Sequence, residues 1–310
     1  MQSRRNFMKH SAMAAVALGA GGRAIGQIVS KDEPMETHGQ KEAGFFDISL
    51  AQWSLHKTLF DGKLKNIDFP SYTQELFDIH ALEYVNTFFP SADGDYAKKL
   101  KQRTDDLGMH NVLIMIDGEG SLGEQDEAAR KKSVENHYKW VECAHILGCH
   151  SIRVNAGGRG SEEEVAWAAT KSLGELSGFA ADYEIGVIVE NHGGYSSRAS
   201  WLASVISNVG MVNCGTLPDF GNFRVSDEEN YNIYLGTKEL MPFAKGVSAK
   251  SHNFNAAGDE ADKDYYRLLQ IVKDAGYRGF IGIEYEGSKL SENEGVLATK
   301  KLLIKAGKSL

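Results

Sequence analysis

The chain has 310 residues, 42% hydrophobic and 25% charged, with a formal net charge of −8. This is the composition of a globular protein long enough for one large domain. The acidic balance argues against nucleic-acid binding, which needs clustered Lys and Arg, and no glycine-rich phosphate or dinucleotide fingerprint stands between a strand and a helix.

The N-terminus comes first in chain order. Ser3 to Lys9 reads SRRNFMK, and the small apolar run SAMAAVALGAGG follows. Paired arginines before a Phe and a weakly apolar segment resemble a twin-arginine export signal. The resemblance implies a signal over residues 1–27, carriage of the folded protein to the periplasm or otherwise out of the cytoplasm, and metal loading before export. The apolar run is too short for a stable membrane span. Residues 28–44 are polar and mixed and read as a tether, which leaves 45–310 as a single catalytic domain.

From residue 45 a pattern repeats: a short apolar run ends in polar residues, and a longer segment of helical period follows. The runs are 45–52, 81–87, 111–117, 151–156, 185–191, 212–219, 245–252 and 279–286. Their starts lie about one βα unit apart. The helices between them carry their own signals. Residues 126–148 place Val134, His137, Val141, Ala144 and Leu147 near one face and end on Gly148. Residues 161–184 open with Ser161 and Glu164, a capping box. Residues 262–276 begin on Asp and end on Gly. Eight such units with near-continuous apolar strands predict a parallel (β/α)8 TIM barrel rather than an open doubly wound sheet. The three cysteines, Cys143, Cys149 and Cys214, read as buried thiols, with a Cys143–Cys149 bridge as the alternative in an oxidising compartment.

In such a barrel, function collects at the C-terminal ends of the strands. The last four strands end in Glu190, Asp219, His252 and Glu284, spaced by 29, 33 and 32 residues. Three carboxylates crowded on one axis repel without a cation. Three oxygens and one imidazole suit one divalent ion, Mn²⁺ first, with Mg²⁺, Co²⁺ or Zn²⁺ as alternatives.

The motifs VENHGG, PDFGN, KSHNF and GIEYEG resemble those of the xylose isomerase-like barrel superfamily, in particular its sugar phosphate isomerase/epimerase proteins. The resemblance covers roughly residues 45–308. It implies that Glu190, Asp219, His252 and Glu284 hold the metal, and that Glu190 and Glu284 also move protons on opposite faces of the substrate. Many sugar epimerases of the family carry D-x-x-H after the sixth strand, whereas this chain has Asn222, a candidate substrate contact that can hydrogen-bond a hydroxyl but cannot act as acid or base near neutral pH.

Other rim residues are candidate substrate contacts. His56 follows the first strand, with Trp53 as an apolar wall for a sugar ring; a surface His and a core Trp are the alternative. Asp117 and Glu119 follow the third strand as turn residues or substrate contacts. Arg153 and Asn155 share one face of the fourth strand. His192 follows Glu190 by two and reads as a substrate contact or a loop residue. Lys250 shares the face of His252 and is placed to stabilise an oxyanion; Glu286 shares that of Glu284.

The reading is a divalent-metal-dependent isomerase or epimerase of a sugar or sugar-like molecule, working by proton abstraction α to a carbonyl. The first alternative is a lyase that cleaves 3-keto-glycosides by β-elimination after the same abstraction. A non-catalytic sugar-binding barrel is less favoured, and a nuclease is disfavoured by charge and by the lack of further His ligands. The expected partner is a small carbohydrate, with no nucleic acid and no membrane span in the mature protein; a homo-oligomer stays open.

Overall fold

The eighth and first strands meet side by side, and that contact turns a row of βα units into a ring. In the computed structural model, which describes residues 42–310, strands β1 (Asp47–Ala51), β2 (Ala81–Val85), β3 (His110–Met115), β4 (Ser151–Val154), β5 (Gly186–Glu190), β6 (Cys214–Leu217), β7 (Val247–Ser251) and β8 (Phe280–Tyr285) run parallel in the order β6-β5-β4-β3-β2-β1-β8-β7. The signal at 1–27 and most of the tether lie outside the described residues. All eight apolar runs form strands where the sequence places them, each a little shorter than its run. Every residue of β2, β4, β5, β6 and β7 is buried, as strands packed on both faces require.

The ring closes between β6 and β7 through isolated bridges rather than a full ladder. Lys245 N–H reaches Thr216 O at 3.0 Å, Ser248 N–H reaches Pro218 O at 2.9 Å, and Phe220 N–H reaches Ser248 O at 3.0 Å. Pro218 has no N–H to give, so the ladder breaks there. The chain just beyond Pro218, which carries Asp219, is thereby free to turn into the barrel mouth.

Helices α1 (His56–Phe60), α2 (Phe69–Phe77), α3 (Gly94–Asp106), α4 (Glu127–Leu147), α5 (Glu162–Ala181), α6 (Ala199–Val209), α7 (Ile233–Leu240), α8 (Tyr265–Asp274) and α9 (Glu292–Lys308) form the outer layer. Sequence caps set their ends. Asp126 caps α4, which stops at Gly148 with φ 75°. Ser161 and Glu164 form the capping box of α5, and Ser291 and Glu294 form a second one on α9. Cys143, Cys149 and Cys214 are buried and free.

Two apolar layers result. One lies between strands and helices. The other fills the barrel axis with Ala51, Ala81, Val85, Val112, Leu113, Met115, Ile188 and Leu217. Ile188 and Glu190 share a face of β5, as alternation requires, so the apolar plug passes directly into a charged layer at the mouth.

Candidate active site

Glu190 closes β5, Glu284 is the penultimate residue of β8, and Asp219 follows β6 by two residues. One carboxylate oxygen from each lies within 4.8 Å of the others, and all three side chains are buried. Strands near the two ends of the sheet order, β5 and β6 at one and β8 at the other, thus deliver three acids to one point.

His252 does not join them. The strand ends at Ser251, and Glu260 Oε1 accepts the His252 backbone N–H at 3.2 Å. The chain bends there, and His252 Nδ1 lies 3.2 Å from Lys263 Nζ instead. Burial, then the Lys263 ammonium, holds its imidazole below the ordinary range. Two β7 residues, Ser248 and Lys250, touch the acids, the first of them through a hydroxyl. Ser248 Oγ donates to Asp219 Oδ2 at 2.5 Å and lies 3.4 Å from Glu284 Oε2.

Two cations stand among the acids. Lys250 Nζ is 2.8 Å from Glu284 Oε1 and 3.6 Å from Glu286 Oε1. Arg153 Nε is 2.6 Å from Glu190 Oε2, and its Nη1 is 2.9 Å from Asp117 Oδ1. The Arg153 Nε–H does not point at Glu190 Oε2, so this contact is an ion pair without a hydrogen bond. The remaining oxygens are also engaged. Asn222 Nδ2 donates to Glu190 Oε1 at 2.8 Å, and Gly221 N–H donates to Asp219 Oδ1 at 2.7 Å. The four-ligand set read from the sequence therefore does not assemble: the imidazole is elsewhere, and an ammonium already pairs with one of the three acids. The four residues read from the sequence do not form one site for that ion.

Burial raises Glu190 to about 8 against the pull of Arg153, and raises Asp219 to about 6 against Lys250. Burial pushes Glu284 up, but the Lys250 ammonium beside it and Arg153 and His192 behind it together outweigh burial and keep this carboxyl below its usual range. The pocket thus holds one carboxyl that favours its proton and one that sheds it.

The other candidates divide. Asn155 Nδ2 donates to Asp117 Oδ1 at 2.9 Å, while its own Oδ1 is buried with no hydrogen-bond donor. Trp53 lies against the axial core and stacks on His56 at 4.9 Å, with Phe88 and Phe60 around it. This forms an aromatic wall at the β1–β2 rim. His56 Nδ1 is held by Trp53 O at 2.7 Å. His192 is solvent-exposed, and partial burial followed by Arg153 and Lys250 lowers its pKa. Glu119 turns away from the mouth: Trp140 Nε1 donates to it at 2.6 Å and Lys139 Nζ pairs at 2.7 Å, so it fastens the β3 loop to α4.

Sequence reasoning missed Ser248, Asn191 and Glu83. Asn191 Oδ1 accepts the Asp219 N–H at 2.8 Å, and its Nδ2 donates to the carbonyls of Asp219 and Asn222, both at 3.0 Å. It splints the segment beyond Pro218. Glu83 is buried inside the barrel, held by Ser49 Oγ at 2.5 Å, with Oε2 unpartnered. Its signal was a lone acid in the apolar run ALEYV.

The chain belongs to the xylose isomerase-like TIM barrel family, whose model matches residues 72–306. No curated protein matches it by sequence. Among solved structures it is similar to a D-tagatose 3-epimerase-like protein (17% identity, TM-score 0.67, covering 85% of this chain and 98% of that one). It is similar also to an L-ribulose 3-epimerase (12%, 0.65, 85% and 96%). A third is a xylose isomerase-like TIM barrel protein from Mycobacterium smegmatis in complex with magnesium (15%, 0.65, 86% and 98%). At these identities the likeness speaks for the fold.

Proposed function

We infer that this protein is an isomerase or epimerase of a small carbohydrate, moving a proton at the carbon α to a carbonyl. The observation that carries the reading is the buried meeting of Glu190, Asp219 and Glu284 at the barrel mouth, with Lys250, Arg153 and Asn222 on them. Family membership and the sugar epimerases among the similar structures support it.

The side chains divide the work. Glu284, kept ionised by Lys250, takes the proton from the α carbon. The electron pair moves onto the carbonyl oxygen and gives an enediolate, whose charge the neighbouring N–H donors offset. Glu190, which favours its protonated form, returns a proton to the other face of the same carbon (epimerisation) or to the neighbouring carbon (isomerisation). The aromatic wall of Trp53, Phe60 and Phe88 gives a sugar ring an apolar surface, and Asn155 Oδ1 accepts a hydroxyl. A divalent ion, Mn²⁺ first, is the sequence expectation for this pocket; the three carboxylates are the groups that would hold it, and Lys250 competes for them. Export of the folded protein by residues 1–27 belongs to the same reading and favours an unphosphorylated sugar. Arg4→Lys with Arg5→Lys should leave the protein in the cytoplasm; normal export of that variant would refute the signal.

The test is deuterium uptake from D₂O into free ketoses and aldoses, followed by NMR. Uptake should appear with the native protein and fall about 100-fold or more in Glu190→Gln and in Glu284→Gln, the range for lost acid–base catalysis. Full uptake in both variants would sink the assignment. Release of an aglycone from a 3-keto-glycoside, with no new sugar formed, would move the protein to the lyases.

A further inference from the structure

We propose that Lys250, with Arg153, takes the place a divalent cation would hold in this barrel mouth, so that the protein works without a metal and the Lys250 ammonium binds the substrate's carbonyl oxygen. The role given to Lys250 rests on the proton-transfer reading above; the absence of a resident metal does not.

Charge is the first ground. Glu190, Asp219 and Glu284 carry three negative charges when ionised, and Lys250 and Arg153 supply two positive ones at 2.8 and 2.6 Å. Two fixed monocations bring the same charge as one dication, and although Arg153 is shared with Asp117 and Lys250 with Glu286, the chain itself offsets much of the repulsion that called for a metal.

The ammonium is also built in. Ser248 and Lys250 share the inward face of β7. Lys250 is 3% exposed, and burying such a group is tolerable only when it is paired. A Cβ added to Gly221 would stand 2.7 Å from Lys250 Cδ, so that glycine makes room for the lysine stem. Tyr265 Oη donates to the Lys250 carbonyl at 3.0 Å and pins the backbone. An ammonium has three N–H donors; Glu284 is within hydrogen-bond distance at 2.8 Å, Glu286 stands off at 3.6 Å, and donor capacity is left for a ligand oxygen.

The ligand set points the same way. His252 faces Lys263, and the β7 side chains against the acids are the Lys250 ammonium and the Ser248 hydroxyl, which donates a hydrogen bond to Asp219. An imidazole at position 248 would face Asp219 and Glu284, the contacts a nitrogen ligand needs.

Metal content decides the matter. The purified full-length chain should carry no stoichiometric Mn, Mg, Co or Zn by elemental analysis. Calorimetric titration with MnCl₂ and with ZnCl₂ should show no site tighter than about 1 mM, and no rise in Tm at a concentration that would saturate one. Ser248→His with Lys250→Met should gain one Mn²⁺ site per chain. A tight stoichiometric ion in the native protein, or no gain in a double variant that unfolds cooperatively, would overturn the inference. In the deuterium assay, uptake should survive EDTA and fall about 100-fold or more in Lys250→Met. Loss with EDTA and recovery with Mn²⁺ would also overturn it while upholding proton transfer. If no sugar exchanges at all, the functional reading fails, and the titrations still decide whether a metal resides here.

Discussion

Glu83 provides a quantitative probe of the barrel interior. Its side chain is 2% exposed, with Oε1 on Ser49 and Oε2 without a partner. Burial raises its carboxyl from the ordinary 4.5 to about 7, with Glu284 adding to the rise and Ser49 and Arg153 opposing it. An acid whose pKa is raised by folding binds a proton between the two values. Its stabilising contribution is therefore complete below about 4.5 and is lost as pH climbs through about 7. Each pKa unit is worth about 1.4 kcal/mol, so the ionised side chain costs the folded barrel about 3 kcal/mol near pH 8. Glu83→Gln keeps the shape and an acceptor for Ser49 but cannot ionise. Urea unfolding should show the variant about 3 kcal/mol more stable than the native chain near pH 8, and within about 1 kcal/mol of it near pH 5. A difference that does not change between these pH values would refute the reasoning, because ionisation of a buried carboxyl would then not be its source.

Two further outcomes follow from single contacts. Asn222→Leu removes the N–H that Glu190 Oε1 accepts and leaves a buried carboxyl under-satisfied; kcat in the exchange assay should fall about tenfold or more with KM little changed, and an unchanged kcat would show that this contact does not serve the reaction. Ser161→Ala removes half of the α5 capping box; denaturant unfolding should lose about 1 kcal/mol with exchange activity retained, and a loss of activity at unchanged stability would contradict a purely structural role.

The eight βα units were legible because their causes are local. Short, β-branched apolar runs such as NVLIMID and IGVIVEN suit strands buried on both faces, and Ser161, Glu164, Asp126 and Gly148 mark helix ends by contacts within one turn. Strand ends also pointed to a shared site, since Glu190, Asp219 and Glu284 do meet. Alternation along β7 placed Lys250 on the inward face, and Arg153 on β4 was visible as a rim candidate.

What the chain meets at those ends was settled only by its folding. His252 obeys the same alternation as Lys250 on paper, but β7 stops one residue short of it, and Glu260 draws the backbone aside. Asn191 reads as a loop residue after β5 until the break at Pro218 gives it a strand end to splint. Ser248 looks like an ordinary strand residue until the ring closes and sets Asp219 opposite it, and only the neighbouring β1 gives the lone acid Glu83 its partner, Ser49. Local sequence determines which segments become strands and which way each side chain faces, because those preferences act over one or two residues. Whether a cation-sized gap between three carboxylates belongs to an ion or to a lysine depends on the register of strands more than thirty residues apart, and only the closed barrel sets that register.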